Sequence, residues 1–545
     1  MANMRVPRVQ YEDIEDPMLV RLVAETLHDF HTPGLSIAIL DNDSVKAKGF
    51  GFADDEHETP VLPETLFFTG STTKSFISAL AAGLVESPDH SISWQTPLVE
   101  LIRDDFVLDQ KTPAGQWSTN HVTVEDALSH RTGLPRHDHM WLNGTPSKRD
   151  VVRALRFVPV HQELRAGWEY SNIPYIAVSH AIETLTGATL KDLLKNQIFN
   201  PLGMLNSTFE LGDALRLAKD SSDLEIARGH LWDESSQSYR RVLWDDIPPA
   251  NGSGGILSNV LDYTRWIKHL MVPSNLNPAL SSNAVKSLRM PRILTLKDEN
   301  RPFIGPEAHC LGLYSQTYRG REVISHSGAL AGYMANMLML PPTAAEVKEG
   351  KSGWGVVTMQ NSYGLAQDVV QWHLLDEHLE TPKDQRFDMA AVVHKRQAEK
   401  QVEMEESNVL RRLFDVDVES FHIKPSLAIR MFEGVYQHPA YHAFRVSMSP
   451  SSEIPATKHV YRDEAGVLLY LEAAGKAFLN VTATLHHVSG DFWWAHKCSD
   501  RVSSWITDEA LKVQFVVGVN GEVTGMRYQA EPAMPDELAF FLKVE

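Results

Sequence analysis

Cysteine is nearly absent. The chain holds two in 545 residues, Cys310 and Cys498, too few for a disulfide framework or a cysteine-rich metal site. Long hydrophobic runs are missing as well: no window approaches the about 18 uncharged apolar residues that cross a bilayer, so no membrane partner is expected. Positive charge is short. Lys plus Arg number 51 against 70 Asp plus Glu, a formal net charge of −19. That sign argues against a nucleic-acid partner, which attracts basic faces. There is no GxGxxG, P-loop or His-Glu-x-x-His, so no nucleotide cofactor or metal is expected. His137-Asp138-His139 has the residue types of a metal cluster, but three consecutive side chains cannot all face one ion in regular structure. The N-terminal MANMRVPRVQYEDIEDPM carries acids early and no apolar core. No signal peptide is expected, and with so few thiols the reading is cytoplasmic.

What is present is ordinary globular composition, 43% apolar and 22% charged. Residues 18–30 read as a helix, 35–40 as a buried strand, and 45–54 as its hairpin partner across the turn DNDS. In FFTGSTTKSFISALAAGLVE (67–86), Gly70 ends a strand-like pair, Ser71 or Thr72 can cap, and a nearly all-apolar helix follows. Further helices are expected at 175–186 and 262–271, and further strands at 322–328, 333–341 and 353–361. The fold class is α+β: a mainly antiparallel sheet flanked by helices. Composition shifts at 385–415 to Ala, Glu, Lys and Arg, read as one exposed linker helix. From 426 to 545 short strands alternate with turns, Asn520-Gly521 among them, and predict a separate all-β meander barrel.

Three constellations carry chemistry. Ser71-Thr72-Thr73-Lys74 is the one Ser-x-x-Lys in the chain. It opens a buried helix, and i,i+3 spacing puts Lys74 on the face of Ser71. A Ser hydroxyl is a weak nucleophile until a neighbouring base takes its proton, and a Lys in an apolar site can be that base. In Tyr170-Ser171-Asn172, the phenol or phenolate can shuttle a proton and the amide can bond a substrate. In His326-Ser327-Gly328 on a strand, Gly328 lets a substrate backbone approach the edge, and His326 can bind a carboxylate or polar group.

In this order the three motifs resemble those of the serine β-lactamase and penicillin-binding-protein superfamily. HTPGLSIAIL (31–40), LSHRTGLPRHD (128–138), GSGGILSNVLDYTRWI (252–267) and Asn361 are similar to its class C-related branch of esterases, D-aminopeptidases and fungal acyltransferases. The resemblance implies a β-lactamase-like catalytic domain over 15–380. It also implies roles: Ser71 as acylated nucleophile, Lys74 and Tyr170 as base and proton shuttle, and Asn172 as substrate-orienting residue. The backbone N–H groups of Ser71 and Ala329 would form the oxyanion hole. His326 stands where β-lactamases carry Lys, which implies ester, thioester or amide substrates without an obligatory carboxylate. The tail is similar to lipocalin-like domains appended to D-aminopeptidases. Its Phe492-Trp493-Trp494 cluster reads as barrel core or ligand contact. Hydrolysis of a small-molecule or peptide substrate, a D-aminopeptidase or amidase activity, and acyl transfer, with a carrier-bound acyl donor and a place in secondary metabolism, all remain open. A non-catalytic scaffold is the remaining alternative.

Overall fold

In the computed structural model, described for residues 9–545 apart from 222–223, 235, 243–245, 273–278, 296–297, 299, 418–422, 451–466, 478–480 and 500–507, one sheet organises the first 380 residues. Nine of its strands form one path, β1 Glu12–Asp13, β2 Gly34–Asp41, β3 Ser44–Asp54, β4 Ile293–Leu294, β5 Ala308–His309, β6 Tyr314–Tyr318, β7 Arg321–Leu330, β8 Tyr333–Leu340 and β9 Trp354–Gln360, and the short strand Thr59–Pro60 pairs with β3 off that path. The nine lie in the order β1-β3-β2-β9-β8-β7-β6-β5-β4. The pairing is antiparallel except where β1 joins β3 in parallel. The expected hairpin forms in register Asp41↔Ser44, with Asn42 in the left-handed region that Asn tolerates.

Period-two alternation sorts the side chains onto two covered faces. Along β9, Trp354 and Val356 pack with helices α1 Pro17–Asp29 and α5 Ala366–His378, whereas Val357 and Met359 face α2 Thr73–Glu86 and α4 Val260–Met271. Helix α3 Ile173–Thr186 packs in the same layer as α2. A three-layer arrangement results, with the sheet between two helical layers; eleven residues of α2, Lys74 included, are buried. Among the described residues no helix is long and apolar enough to cross a membrane.

The single linker helix expected at 385–415 is two helices, α6 Met389–Glu403 and α7 Glu406–Phe414. Each buries its apolar side against a different body. Met389 and Val393 of α6 join the α1 and α5 cluster, whereas Val409, Leu410 and Leu413 of α7 pack on Val488, Trp494 and Ala510. One straight helix could not present both stripes to both partners.

The tail closes into an eight-stranded barrel of sequential antiparallel strands, β10 Gly434–His438, β11 His442–Pro450, β12 Val467–Ala473, β13 Val481–Ser489, β14 Phe492–Ser499, β15 Glu509–Val517, β16 Val523–Tyr528 and β17 Ala539–Lys543. Tyr436↔Lys543 closes it, so no edge is left unpaired. Of the expected tail strands, residues 466 and 478–480 lie outside the described residues. Trp493 fills the interior beside Phe432 and Phe515. Trp494 points outward, stacks on His486 and lies under α7. The barrel docks on the segment 137–144: Tyr441 Oη is 2.7 Å from His137 Nδ1, His442 Nε2 is 3.2 Å from Met140 O, and the His137 N–H donates to Glu531. The His139 ring packs edge-on against Phe444.

Candidate active site

The chain enters α2 through a 3-10 turn, Gly70–Thr72. Neither Ser71 nor Thr72 caps the helix with its side chain, contrary to the sequence expectation. Thr72 Oγ1 donates instead to Thr69 O at 2.9 Å and lies 2.8 Å from Tyr263 Oη. The helical backbone at this turn frees Ser71 Oγ to face the next turn, where Lys74 Nζ stands 3.0 Å away. Gly70 has φ +51°, and a Cβ there would sit 2.6 Å from Ala329 N. A Cβ on Gly328 would fall 1.9 Å from Thr69 O and 2.9 Å from Ser71 N. These two glycines let β7 lie directly against the turn that carries Ser71.

Lys74 has no exposed surface. Its Nζ donates to Asn172 Oδ1 at 2.8 Å and to Ser253 O at 2.9 Å. Burial first, then the nearby Arg136, pushes its pKa well below the lysine range, with Asp138 opposing. A neutral amine has two N–H groups and one lone pair. Both carbonyl oxygens only accept, so they take the two N–H groups, and the lone pair is left for the Ser71 hydroxyl proton. The Asn172 orientation is fixed by its other end, since Nδ2 donates at 3.0 Å to Asp138 Oδ1, an acceptor only.

Tyr170 closes the group. Its hydroxyl interacts with Ser71, which acts to lower its pKa, and its ring lies 5.0 Å below Lys74 Nζ. Burial pushes its pKa up to about 12, against the pull of Ser71 and Arg136. It is therefore a phenol at neutral pH, which narrows the phenol-or-phenolate expectation.

Asp138 and Arg136 were not singled out as a pair by the sequence. Arg136 Nε donates to Asp138 Oδ2 at 2.8 Å, its guanidinium lies 5.7 Å from the Tyr170 ring, and Trp141 Nε1 donates to Asp138 Oδ1 at 2.8 Å. These donors, with Asn172, hold the buried Asp138 below the usual carboxylate range, burial itself acting the other way. The three residues of His137-Asp138-His139 serve three directions: Tyr441, Asn172 and the barrel aromatics. Also unsuspected are His130, whose ring lies 4.4 Å from that of Tyr170, and His309, whose ring lies 4.7 Å from that of His130. His326 completes this wall 6.3 Å from His309. The only sequence signal for the first was its place in LSHRTGLPRHD.

The structure thus gathers Ser71, Lys74, Tyr170 and Asn172 at one point, with Gly328 and Ala329 against the Ser71 turn and His326 on the adjoining wall. The Asn172 amide is engaged at both ends by protein groups.

The family model described as Beta-lactamase matches residues 19–380, and Domain of unknown function (DUF3471) matches residues 420–542. A protein of Aspergillus campestris (strain IBT 28561) called Unguisins hydrolase ungD' is 35% identical over 98% of this chain and 93% of its own. Unguisins hydrolase ungD of Aspergillus violaceofuscus (strain CBS 115571) is 33% identical over 87% of this chain and 82% of its own. Among solved structures, the octameric penicillin-binding protein homologue from Pyrococcus abyssi covers 97% of this chain and 100% of its own, with TM-score 0.57 at 20% identity, a likeness of fold.

Proposed function

The chain belongs to the Beta-lactamase family of serine hydrolases, and from that premise we propose that it cleaves an amide or ester through an acyl intermediate on Ser71. Neutral Lys74 takes the Ser71 proton as Oγ attacks the substrate carbonyl. The N–H groups of Ser71 and Ala329 receive the developing oxyanion. Tyr170 gives its proton to the leaving amine or alcohol as the C–N or C–O bond breaks, and is reprotonated from the Lys74 ammonium. Water then attacks the acyl-Ser71 ester by the reverse relay. Asn172 acts in this scheme as a positioning residue, holding Lys74 to Asp138, in place of the substrate-orienting role that the resemblance implied.

The carrying observation is the buried Lys74 Nζ at 3.0 Å from Ser71 Oγ with its N–H groups occupied elsewhere. Small molecules or peptides are the substrate class. The names of the two Aspergillus relatives suggest a hydrolytic role in secondary metabolism for this chain as well. A fluorophosphonate that labels wild-type protein at Ser71, and not the Ser71→Ala variant, tests the nucleophile. Adding amine or alcohol acceptors to an activated-ester assay then separates hydrolysis from acyl transfer: a new acylated acceptor, formed at the expense of free acid, marks transfer.

A further inference from the structure

Three histidines beside Tyr170 expose a pattern of donors and acceptors that the relay from Ser71 to Tyr170 does not use. The Nε2 atoms of His130, His309 and His326 are all buried and have no hydrogen-bond partner among the described residues. The other ring nitrogen of each fixes its tautomer. His309 Nδ1 lies 2.8 Å from Cys310 O and His326 Nδ1 2.6 Å from Ser327 O. A carbonyl only accepts, so both Nδ1 atoms carry the proton and both Nε2 atoms present a lone pair. His130 is reversed. Its Nδ1 accepts from the Ser171 N–H at 3.3 Å, so its Nε2 carries the proton. Two acceptors and one donor therefore lie together, walled by Trp168, Tyr170 and Tyr314. Burial holds His309 and His326 near about 3, which keeps the lone pairs available at neutral pH.

Buried polar atoms without partners cost free energy unless a ligand or water meets them. We propose that His130, His309 and His326 form a subsite beside Ser71 for an uncharged carboxamide of the substrate. The amide N–H groups donate to Nε2 of His309 and His326, and its carbonyl oxygen accepts from His130 Nε2–H. The flat amide packs between the aromatic walls. A carboxylate has no N–H to offer and meets two lone pairs. An ammonium needs a counter-charge once buried, and Asp138 is already held by Arg136, Asn172 and Trp141. A metal ion is disfavoured because His130 Nε2 is protonated, and no group able to hold one is found among the described residues. The inference rests on the serine-hydrolase reading for its place in catalysis, but its test does not.

In full-length Ser71→Ala protein no bond can be broken through Ser71. Ligand-observed NMR titration with N-acetyl-phenylalaninamide and N-acetyl-phenylalanine, in both enantiomers, compares an amide with its acid. We expect the amide to bind at least about tenfold tighter in one enantiomer, as removal of complementary donors costs on the order of 1.4 kcal/mol or more. Adding His309→Leu should bring the ratio close to one, and His309→Asn, which keeps an acceptor oxygen, should restore most of it. Equal or tighter binding of the acid to Ser71→Ala protein overturns the subsite. So does a folded His309→Leu variant that keeps the full preference. If His309→Leu does not fold, the ratio in Ser71→Ala protein decides alone. Ser71 labelling in the wild type reports separately on the reading beneath it.

Discussion

Asp138 accepts a 3.0 Å hydrogen bond from the same Asn172 carboxamide whose oxygen receives Lys74 at 2.8 Å. One amide thus fixes the base of the site by one end and a buried carboxylate by the other. Asp138→Asn lets that amide turn over and leaves the half-exposed Arg136 without its carboxylate partner. We expect kcat to fall by at least about tenfold, with a stability loss of only about 1 kcal/mol or less, because Arg136 is half-exposed. The sign of the pH effect is distinctive. Asp138 raises the Lys74 pKa, so its loss moves the acid limb of kcat/KM to lower pH. A pH–rate profile with an unmoved or raised acid limb contradicts this linkage.

Lys74 should be a stability liability at neutral pH. Burial depresses its folded pKa well below the ordinary lysine value of about 10.5, so between the two values folding releases a proton. The resulting cost is full below the folded pKa, shrinks as pH rises toward 10.5 and vanishes above it. Lys74→Met should therefore lose activity, and its stability relative to wild type should be greatest in acid and decline steadily toward pH 10. Urea unfolding midpoints at pH 6, 8 and 10 measure this; a difference that does not change with pH means that Lys74 is charged in the folded protein.

Gly328→Ala places a methyl group 1.9 Å from Thr69 O and 2.9 Å from Ser71 N. Both obstacles are backbone, so β7 or the Ser71 turn must move. Overpacking of this kind costs about 1–3 kcal/mol, and the displacement should slow fluorophosphonate labelling of Ser71 by more than tenfold, as misplacement of reacting groups does at about 1 Å. Thermal unfolding and labelling rate together check it.

The barrel reaches the site through His137. Its Nε2 faces Pro159 O at 3.0 Å and is the protonated nitrogen, so Tyr441 donates to Nδ1. Tyr441→Phe strands that buried nitrogen. About 1–2 kcal/mol of stability should be lost, with kcat reduced several-fold through the neighbouring Asp138 while a small phosphonate still reacts. Unchanged kcat in a variant with lowered unfolding temperature would confine Tyr441 to holding the barrel in place.

Much of this was legible in the sequence where spacing is local. Ser71 and Lys74 share a helix face, Tyr170 and Asn172 precede a helix, an apolar run marked β2, alternation marked β3, and strand-like segments marked β7, β8 and β9. The barrel followed from strand and turn signals such as Asn520-Gly521, which do form a hairpin turn with Gly521 at φ +81°. What local pattern does not encode is pairing across the chain. Lys74 and Asn172 are 98 residues apart, Lys74 and Ser253 179, His137 and Tyr441 304. Arg136 and Asp138 stand two residues apart, but no periodic pattern marks them as a pair held against Tyr170 and Asn172. His309 carries no motif and His130 only its place in LSHRTGLPRHD, and it is their ring contacts that reveal them. The linker misled because its Ala, Glu, Lys and Arg content was read as one exposed helix, whereas Val393 and Val409 are buried against different bodies.

The central claim is the covalent use of Ser71 with Lys74 as its base. Intact-protein mass spectrometry after quenching with acid, during turnover of an activated ester, measures it directly. We predict an adduct of the acyl mass that maps to the peptide containing Ser71. It should accumulate in wild-type protein and be absent from Ser71→Ala and Lys74→Met. An adduct on another residue, or full turnover by Ser71→Ala, would contradict the account.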